Sequence, residues 1–464
     1  VPFDILAASV RPDVARAIEA EVREGADAAL VRINALAFAR RHGFSEDDAI
    51  AGFLHASALG LFDLSWNILC PGCGGVLDAN ASLRTVVKDE YVCSLCAAGY
   101  ETTLDDLIEV TFTVNPRVRR VAAHDPDSLT PKEFLLQLYW GSGLRVDETR
   151  LQSVMDEIVI DSIELGPGER GVLSMTLPAE FVIVFEPVTH SAQFIDVKGE
   201  PTRDKQALSL VYDRDHMDNR KLELRPGTLR LSVENRTAGR VLPMAFVVND
   251  EMHHFMHTRQ SYLTAKRLLT NQTFRDLFRT QTLDVDQRLK ITSMTFLFTD
   301  LRGSTELYER VGDLAAFDLV RTHFRLLHDI VAAESGAVVK TIGDAVMATF
   351  NRPDRALAAA LKMRKAMQGL NERAGRDDLL LKIGLHEGPC IAVSMNDRQD
   401  YFGQTVNIAS RVQGLADSRS IFLTGSVIGD DATRQLMDRM HLTPVAQAVA
   451  IRGVEREIGV FSVA

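Results

Sequence analysis

From residue 292 onward the spacing of apolar positions changes repeatedly. TFLFTD is a short continuous apolar run, and STELYERVGDLAAFDLVRTHFRLLHDIVAAES has helical spacing. VVKTIGDAVMATF is two apolar runs folded at Gly343-Asp344, ALAAALKMRKAM is helical again, and LKIGLHEG returns to strand character. Strand, helix, hairpin, helix, strand predicts an α/β sheet with helices packed against it. Upstream, from about 156 to 249, short alternating runs prevail: GVLSMTL, FVIVFEPV, QALSLVY and TLRLSVENR, separated by turns such as Gly166-Pro167-Gly168 and Pro226-Gly227. In TLRLSVENR, Leu229, Leu231 and Val233 fall on one face and Arg230, Ser232 and Glu234 on the other. That is the alternation of a half-buried strand, and a β-sandwich is expected here.

Residues 1 to about 65 carry helical periodicity, with Ser45 beginning a helix and Gly60 punctuating its end. Helical character returns between 250 and 291. There Tyr262, Ala265 and Leu269 form a heptad-like seam for two turns before Thr270 to Thr273 interrupts it. Such a segment either pairs briefly with its copy in a second chain or packs as an ordinary helix. The expected organisation is a multi-domain α+β protein: a helical unit over 1–65, a cysteine ribbon over 66–100, and a mixed segment followed by the β-sandwich over 101–249. A helical linker placed to transmit a signal follows over 250–291, and an α/β domain over 292–464.

At 464 residues the chain is too long for one ordinary core. Hydrophobic content of 46% and charged content of 25% are those of a globular protein in water, and no run approaches the roughly 20 apolar residues of a membrane span. The first residues, VPFDILAASVRPDVARAIEAEV, lack the basic-then-apolar order of a signal peptide, so a cytoplasmic location is expected. A net charge of −11 argues against a nucleic-acid partner, which requires Lys and Arg clustered on one face. Cys70, Cys73, Cys93 and Cys96 stand as C-x2-C-x19-C-x2-C, with Cys390 alone. Two such knuckles bring four thiolates around one zinc ion, and a structural Zn2+ staple is the expected role. Contact with a protein or nucleic acid and redox sensing by the CxxC pairs are the alternatives.

The chemistry-bearing residues concentrate in the last third. Asp300 ends an apolar strand run, and Asp344 sits at a hairpin bend. Carboxylates at two strand ends, approached through Gly303 and Gly343, suit hard cations that bridge phosphate oxygens. Gly303, Ser304 and Thr305 then open a helix, whose first N–H groups offer a phosphate site. Asn407 and Arg411 share one face of a helix beginning near Thr405, with Asp400 just ahead of it. Lys340 and Asp344 place opposite charges four residues apart around one bend, with no evident pairing.

FTDLRGST, VVKTIGDAVMATF, KIGLHEGP and DYFGQTVNIASRV, in this order, resemble the class III nucleotidyl cyclase catalytic domain over roughly residues 292–464. The resemblance implies a ferredoxin-like α/β fold that turns ATP or GTP into a 3′,5′-cyclic nucleotide and pyrophosphate. It implies that Asp300 and Asp344, with the carbonyl of Leu301, bind two Mg2+ or Mn2+ ions. It also makes Lys340 and Asp400 the base-selecting pair, Asn407 the residue that positions the ribose, and Arg411 the transition-state arginine on the α-phosphate. Sites in this family form between two head-to-tail catalytic domains, so in a homodimer Asp344 serves one site and Lys340 the other. Adenine presents an acceptor at N1 and a donor at N6, which matches Lys340 and Asp400; guanine presents the opposite polarity to the lysine, and ATP is the expected substrate.

One departure concerns phosphate. Some relatives carry an Arg that touches the terminal phosphates where HEGP has Pro389, which leaves that role to Arg302 or another basic residue. The N-terminal 290 residues resemble an uncharacterised regulatory region found ahead of cyclase domains in some bacterial proteins; a regulatory ligand or protein is expected to act there, and the resemblance does not identify it. Three rivals stand beside an adenylate cyclase. Lys340 and Asp400 speak against a guanylate cyclase, the metal aspartates and Arg411 against a catalytically silent nucleotide sensor, and the acidic charge against a zinc-ribbon nucleic-acid protein.

Overall fold

The computed structural model describes residues 2–86, 90–101, 103–105, 107–144, 148–213, 221–279, 289–302, 309, 312–375, 379–395, 398–417, 419–447 and 458–464. They fall into two compact units. One comprises Val1–Ala81, Lys88–Thr102 and Leu107–Leu263; the other comprises Ser82–Val87, Thr103–Asp106 and Thr264–Ala464.

The first unit opens with helices α1 (Pro2–Ser9), α2 (Pro12–Glu24), α3 (Ala35–His42) and α4 (Glu46–Ala58). Capping sets their ends. The Asn34 side chain accepts from the N–H groups of Leu36 and Ala37 to start α3, and Ser45 accepts from Asp48 N to start α4. The strand β1 (Phe62–Leu69) pairs antiparallel with β2 (Val76–Asn80) and β5 (Ile108–Val114). Phe53 of α4 packs edge-on against Phe62 and stacks on Phe112, which joins the helices to this sheet. Between β2 and β5 lies a hairpin of β3 (Glu90–Cys93) and β4 (Ala98–Glu101).

Two further sheets follow. Strands β7 (Arg170–Leu177), β10 (Thr202–Tyr212) and β12 (Gly227–Asn235) form one. The other contains β6 (Val159–Ser162), β8 (Phe181–Glu186), β9 (Ser191–Val197), β11 (Leu222–Leu224) and β13 (Met244–Val248). Leu173 and Met175 of β7, Leu229, Leu231 and Val233 of β12, and Val182 and Val184 of β8 share one buried cluster, so the sheets face each other across it. Ile183 and Phe185, on the opposite face of β8, join a second cluster with Cys70, Cys73, Cys93, Tyr139 and Trp140. Burial on both faces accounts for the continuous apolar run FVIVFE, whereas β12, covered on one face, alternates.

The second unit contains α5 (Ala265–Leu269), α6 (Gln272–Leu277), β14 (Leu289–Arg302), α7 (Asp313–Ala333), β15 (Gly336–Ile342), β16 (Ala345–Phe350), α8 (Pro353–Ala374) and β17 (Leu380–Met395). From β14 to β17 this is the strand, helix, hairpin, helix, strand order that the periodicity predicts. It continues through β18 (Arg398–Phe402), α9 (Gln404–Leu415), β19 (Ile421–Thr424), β20 (Val445–Gln447) and β21 (Val460–Val463). The hydrogen-bonded order is β15-β16-β14-β17-β19-β21-β20, with β18 paired to the far half of β17. Val320, Leu327 and Val331 of α7 and Ala360 and Met363 of α8 bury one face with Leu297, Leu301, Ile383, Leu385, Ile421 and Leu423. Phe422, between the last two, points the other way and packs with Ile408 and Val412, so α9 covers the opposite face. The approach is close: a Cβ on Gly384 of β17 would fall 2.2 Å from the backbone N of Gln413.

The helices α5 and α6 are capped by Thr264 and Asn271, which accept from Arg267 N and Phe274 N. Ala265 and Leu269, two members of the heptad-like seam, are fully buried within the chain. Among the described residues, no helix is long and apolar enough to cross a membrane.

Candidate active site

Asp300 lies near the end of β14, and Asp344 follows Gly343, which takes the left-handed φ of 63° in the turn between β15 and β16. Strands β14 and β16 are neighbours, with Thr299 opposite Val346. Burial holds the Asp300 carboxyl above the usual carboxylate range and the Asp344 charge adds to this, while Lys382, opposite Asp300 in the β14–β17 register, works against it. Oδ2 of Asp344 is buried without a hydrogen-bond partner among the described residues. Two mutually repelling carboxylates, one with an orphaned oxygen, form a donor set that a hard divalent cation satisfies. Leu301 is buried beside Asp300 on β14. Gly303, Ser304 and Thr305, the expected phosphate site, lie outside the described residues.

Lys340 is not without a partner. Its Nζ donates to Oδ2 of Asp400 at 2.5 Å, within the same chain. The lysine therefore engages a residue 60 positions away instead of the aspartate four positions away. Backbone geometry contributes: β15 shifts register between Val338 and Lys340. Asp400 is held from its other side, where Oδ1 accepts from Tyr401 N at 2.9 Å. The aspartate side chain is 13% exposed and the lysine 42%, so the ammonium retains access to a ligand.

Asn407 and Arg411 lie one turn apart on α9, and both are exposed. The start of α9 is tied to β17 by Thr405 Oγ1, which donates to the carbonyl of Pro389 at 2.5 Å. Sequence reasoning missed Lys382 and His323. Lys382 becomes visible only through the antiparallel register of β14 and β17. His323, fully buried on α7, reads as an ordinary helix position; burial drives it down to about 4 against the opposing charge of Asp344, so the ring is neutral.

In the other unit, the Sγ atoms of Cys70, Cys73, Cys93 and Cys96 lie within 4.8 Å of one another. Cys70 and Cys96 are 3.6 Å apart and Cys73 and Cys93 3.7 Å. Thiolates at about 2.3 Å from a zinc ion occupy a tetrahedron with edges of about 3.8 Å, so these spacings suit a metal and are far too long for disulfides. The N–H groups of Cys73 and Gly75 point at the sulfurs of Cys70 and Cys73, as a metal knuckle requires.

Residues 1–276, more than half of the chain, match the family described as "Family of unknown function (DUF5939)". The chain belongs to the DUF5939 family. Its DUF5939 region carries the four-cysteine cluster and precedes a class III nucleotidyl cyclase domain, since residues 287–456 match the "Adenylate and Guanylate cyclase catalytic domain". The chain is 28% identical over 185 residues to an adenylate cyclase of Anabaena cylindrica, covering 37% of this chain and 36% of that relative. It is 27% identical over 173 residues to Adenylate cyclase 1 of Rhizobium meliloti (strain 1021), covering 34% and 25%. The chain thus spans well under half the length of either relative. Proteins named guanylate cyclases match as well, among them one of Drosophila melanogaster. The crystal structure of the adenylyl cyclase CyaB from P. aeruginosa aligns at 24% identity with a TM-score of 0.33, covering 38% of this chain and 96% of that one.

Proposed function

We propose that this DUF5939 protein is an adenylate cyclase that works as a homodimer, converting ATP to 3′,5′-cyclic AMP and pyrophosphate. The observation that carries the proposal is the contact between Lys340 and Asp400. An ammonium and a carboxylate side by side offer a donor to adenine N1 and an acceptor to the N6 amino group. Guanine, with a donor at N1, leaves the lysine mismatched, and a polar group that the bound nucleotide covers without pairing discriminates strongly.

Asp300 and Asp344, with the Leu301 carbonyl, would hold two Mg2+ or Mn2+ ions, which would acidify the ribose 3′-hydroxyl and neutralise the phosphates. Asn407 hydrogen-bonds the ribose and keeps the 3′-oxygen in line with the α-phosphorus. The bond from the 3′-oxygen to that phosphorus forms as the bond to pyrophosphate breaks, and the hydroxyl proton passes to solvent. Arg411 donates to the α-phosphate oxygens while charge builds there. The N–H groups of Gly303, Ser304 and Thr305 take the terminal phosphates. Lys382, beside Asp300, is the basic side chain we assign to the role that Pro389 leaves open.

Exposed apolar side chains support the homodimer. Ile342, two residues before Asp344, is 53% exposed and Phe402, two residues after Asp400, 51%. Leu314 and Phe317, on the first turns of α7, stand out at 85% and 58%. Side chains of this size left in water, two of them within two residues of Asp344 and Asp400, fit a surface covered by a second copy. Each composite site then takes Asp300 and Asp344 from one protomer and Lys340, Asp400, Asn407 and Arg411 from its partner, repeated by the two-fold axis. The four cysteines bind a structural Zn2+, and the DUF5939 region acts as the regulatory part.

Turnover of ATP and GTP by the full chain with Mn2+, beside Asp344→Ala, tests the proposal. Cyclic AMP in clear preference to cyclic GMP is expected, with near-complete loss in a folded Asp344→Ala. A preference for GTP, or nucleotide binding without product, overturns it.

A further inference from the structure

The strands that carry Lys340 and Asp400 are not neighbours. In hydrogen-bonded order β16, β14 and β17 stand between β15 and β18. No shared ladder fixes the distance between the two side chains, yet they meet at 2.5 Å. The helices α5 and α6, just ahead of the cyclase domain, supply a tie. Nη2 of Arg275 on α6 donates to the carbonyl of Val339 at 3.3 Å and to the carbonyl of Gln399 at 3.1 Å. These are the residues immediately before Lys340 and Asp400.

The surroundings fit that role. The register shift in β15 falls between Val338 and Lys340, which takes Val339 out of the ladder and leaves its carbonyl for Arg275. The N–H of Val338 donates to Oε1 of Gln272, one turn before Arg275, at 2.8 Å. On the other strand, Tyr401 donates its hydroxyl to the carbonyl of Leu269 at 3.4 Å. The two residues before Lys340 and the residues on either side of Asp400 are therefore held by one short pair of helices. Nη1 of Arg275 is buried without a hydrogen-bond partner among the described residues, so the guanidinium is enclosed rather than splayed into water. Arg275 and Gln272 also fall inside the stretch matched to the DUF5939 family, which ends at residue 276.

We infer that Arg275 is a positioning residue for purine recognition: by bridging Val339 and Gln399 it sets the spacing of Lys340 and Asp400, and the end of the DUF5939 region thereby tunes nucleotide selection. This rests on the adenine-reading role given to that pair. A residue that sets spacing acts on recognition of the base, so its loss changes KM and selectivity more than kcat, whereas a merely structural role lowers the active fraction equally for every nucleotide.

The test is steady-state kinetics of the full chain with ATP and GTP in Mn2+, comparing wild type, Arg275→Met, Arg275→Lys and Gln272→Ala. For Arg275→Met, KM for ATP rises about tenfold and the ATP-over-GTP ratio of kcat/KM falls about tenfold, while kcat moves less than about threefold. Arg275→Lys, whose ammonium has hydrogens for both carbonyls, recovers most of the loss. Gln272→Ala moves KM and selectivity in the same direction by a smaller factor, and it carries the test should Arg275→Met fail to fold. A uniform fall in kcat with KM and selectivity unmoved, or no change in the folded variants, overturns the inference. A wild type that prefers GTP refutes the adenine assignment instead, and the role of Arg275 is then decided by KM for GTP in the same variants.

Discussion

Replacing Lys340 by Met separates purine recognition from folding. The side chain is 42% exposed, so the ion pair with Asp400 is screened and adds about 1 kcal/mol or less to stability. Its role toward ATP is larger. A hydrogen bond from a charged donor contributes about 2–3 kcal/mol where water is excluded, so Lys340→Met should lower kcat/KM for ATP about 30- to 150-fold. Asp400, 13% exposed, is left without its cation, which favours the upper end of that range. GTP gains nothing from the lysine in the wild type, so its kcat/KM should hardly move and the preference for ATP should collapse. Initial rates of cyclic AMP and cyclic GMP formation, with circular dichroism and a melting curve on the same samples, give the result. An equal fall for both nucleotides, or a melting temperature lowered in step with activity, would refute the reasoning.

The raised Asp300 carboxyl gives a pH prediction. Its proton is held more tightly in the fold than in the unfolded chain, so stability conferred by the neutral form is present in acid and lost as pH rises through the raised value. Without divalent ions, Asp300→Asn should therefore melt above wild type at neutral pH, the gap closing in acid, and the same variant should be inactive; melting curves in chelator across pH measure it. The cysteine cluster predicts about one zinc ion per chain by elemental analysis, and Cys93→Ser should lose the metal and lower the melting temperature, because Cys93 is buried against the apolar cluster that includes Tyr139 and Phe185.

Much of the catalytic domain was legible because its signals are local. The change of period from strand to helix, the Gly343-Asp344 bend and the run from Asp400 to Arg411 each lie within a few turns of chain. The pairing of Lys340 with Asp400 spans 60 residues and depends on a register shift in β15 that nothing in VVKTIGDAVMATF announces. Lys382 was hidden for the same reason, since its position beside Asp300 follows from strand register and not from spacing. The alternation read into both FVIVFEPV and TLRLSVENR holds for β12 but not for β8, whose two faces are both buried and so lack a polar phase. In the linker, the heptad-like seam left pairing with a second chain open, yet Ala265 and Leu269 are buried within this one. The polar residues Gln272 and Arg275 carry the tie to β15 and β18.

The central claim, that each site is shared between two protomers, is tested most directly by mixing two inactive chains. Asp344→Ala removes the proposed metal ligand from one half of the site and Arg411→Ala removes the proposed phosphate donor from the other. In a heterodimer of the two, both lesions fall in one site and the second is intact, so an equimolar, fully exchanged mixture should recover about a quarter of wild-type cyclic AMP production. If mixed dimers form, as shown by pull-down of differently tagged chains, and the mixture stays as inactive as its parts, the site is built within a single chain and the account is wrong.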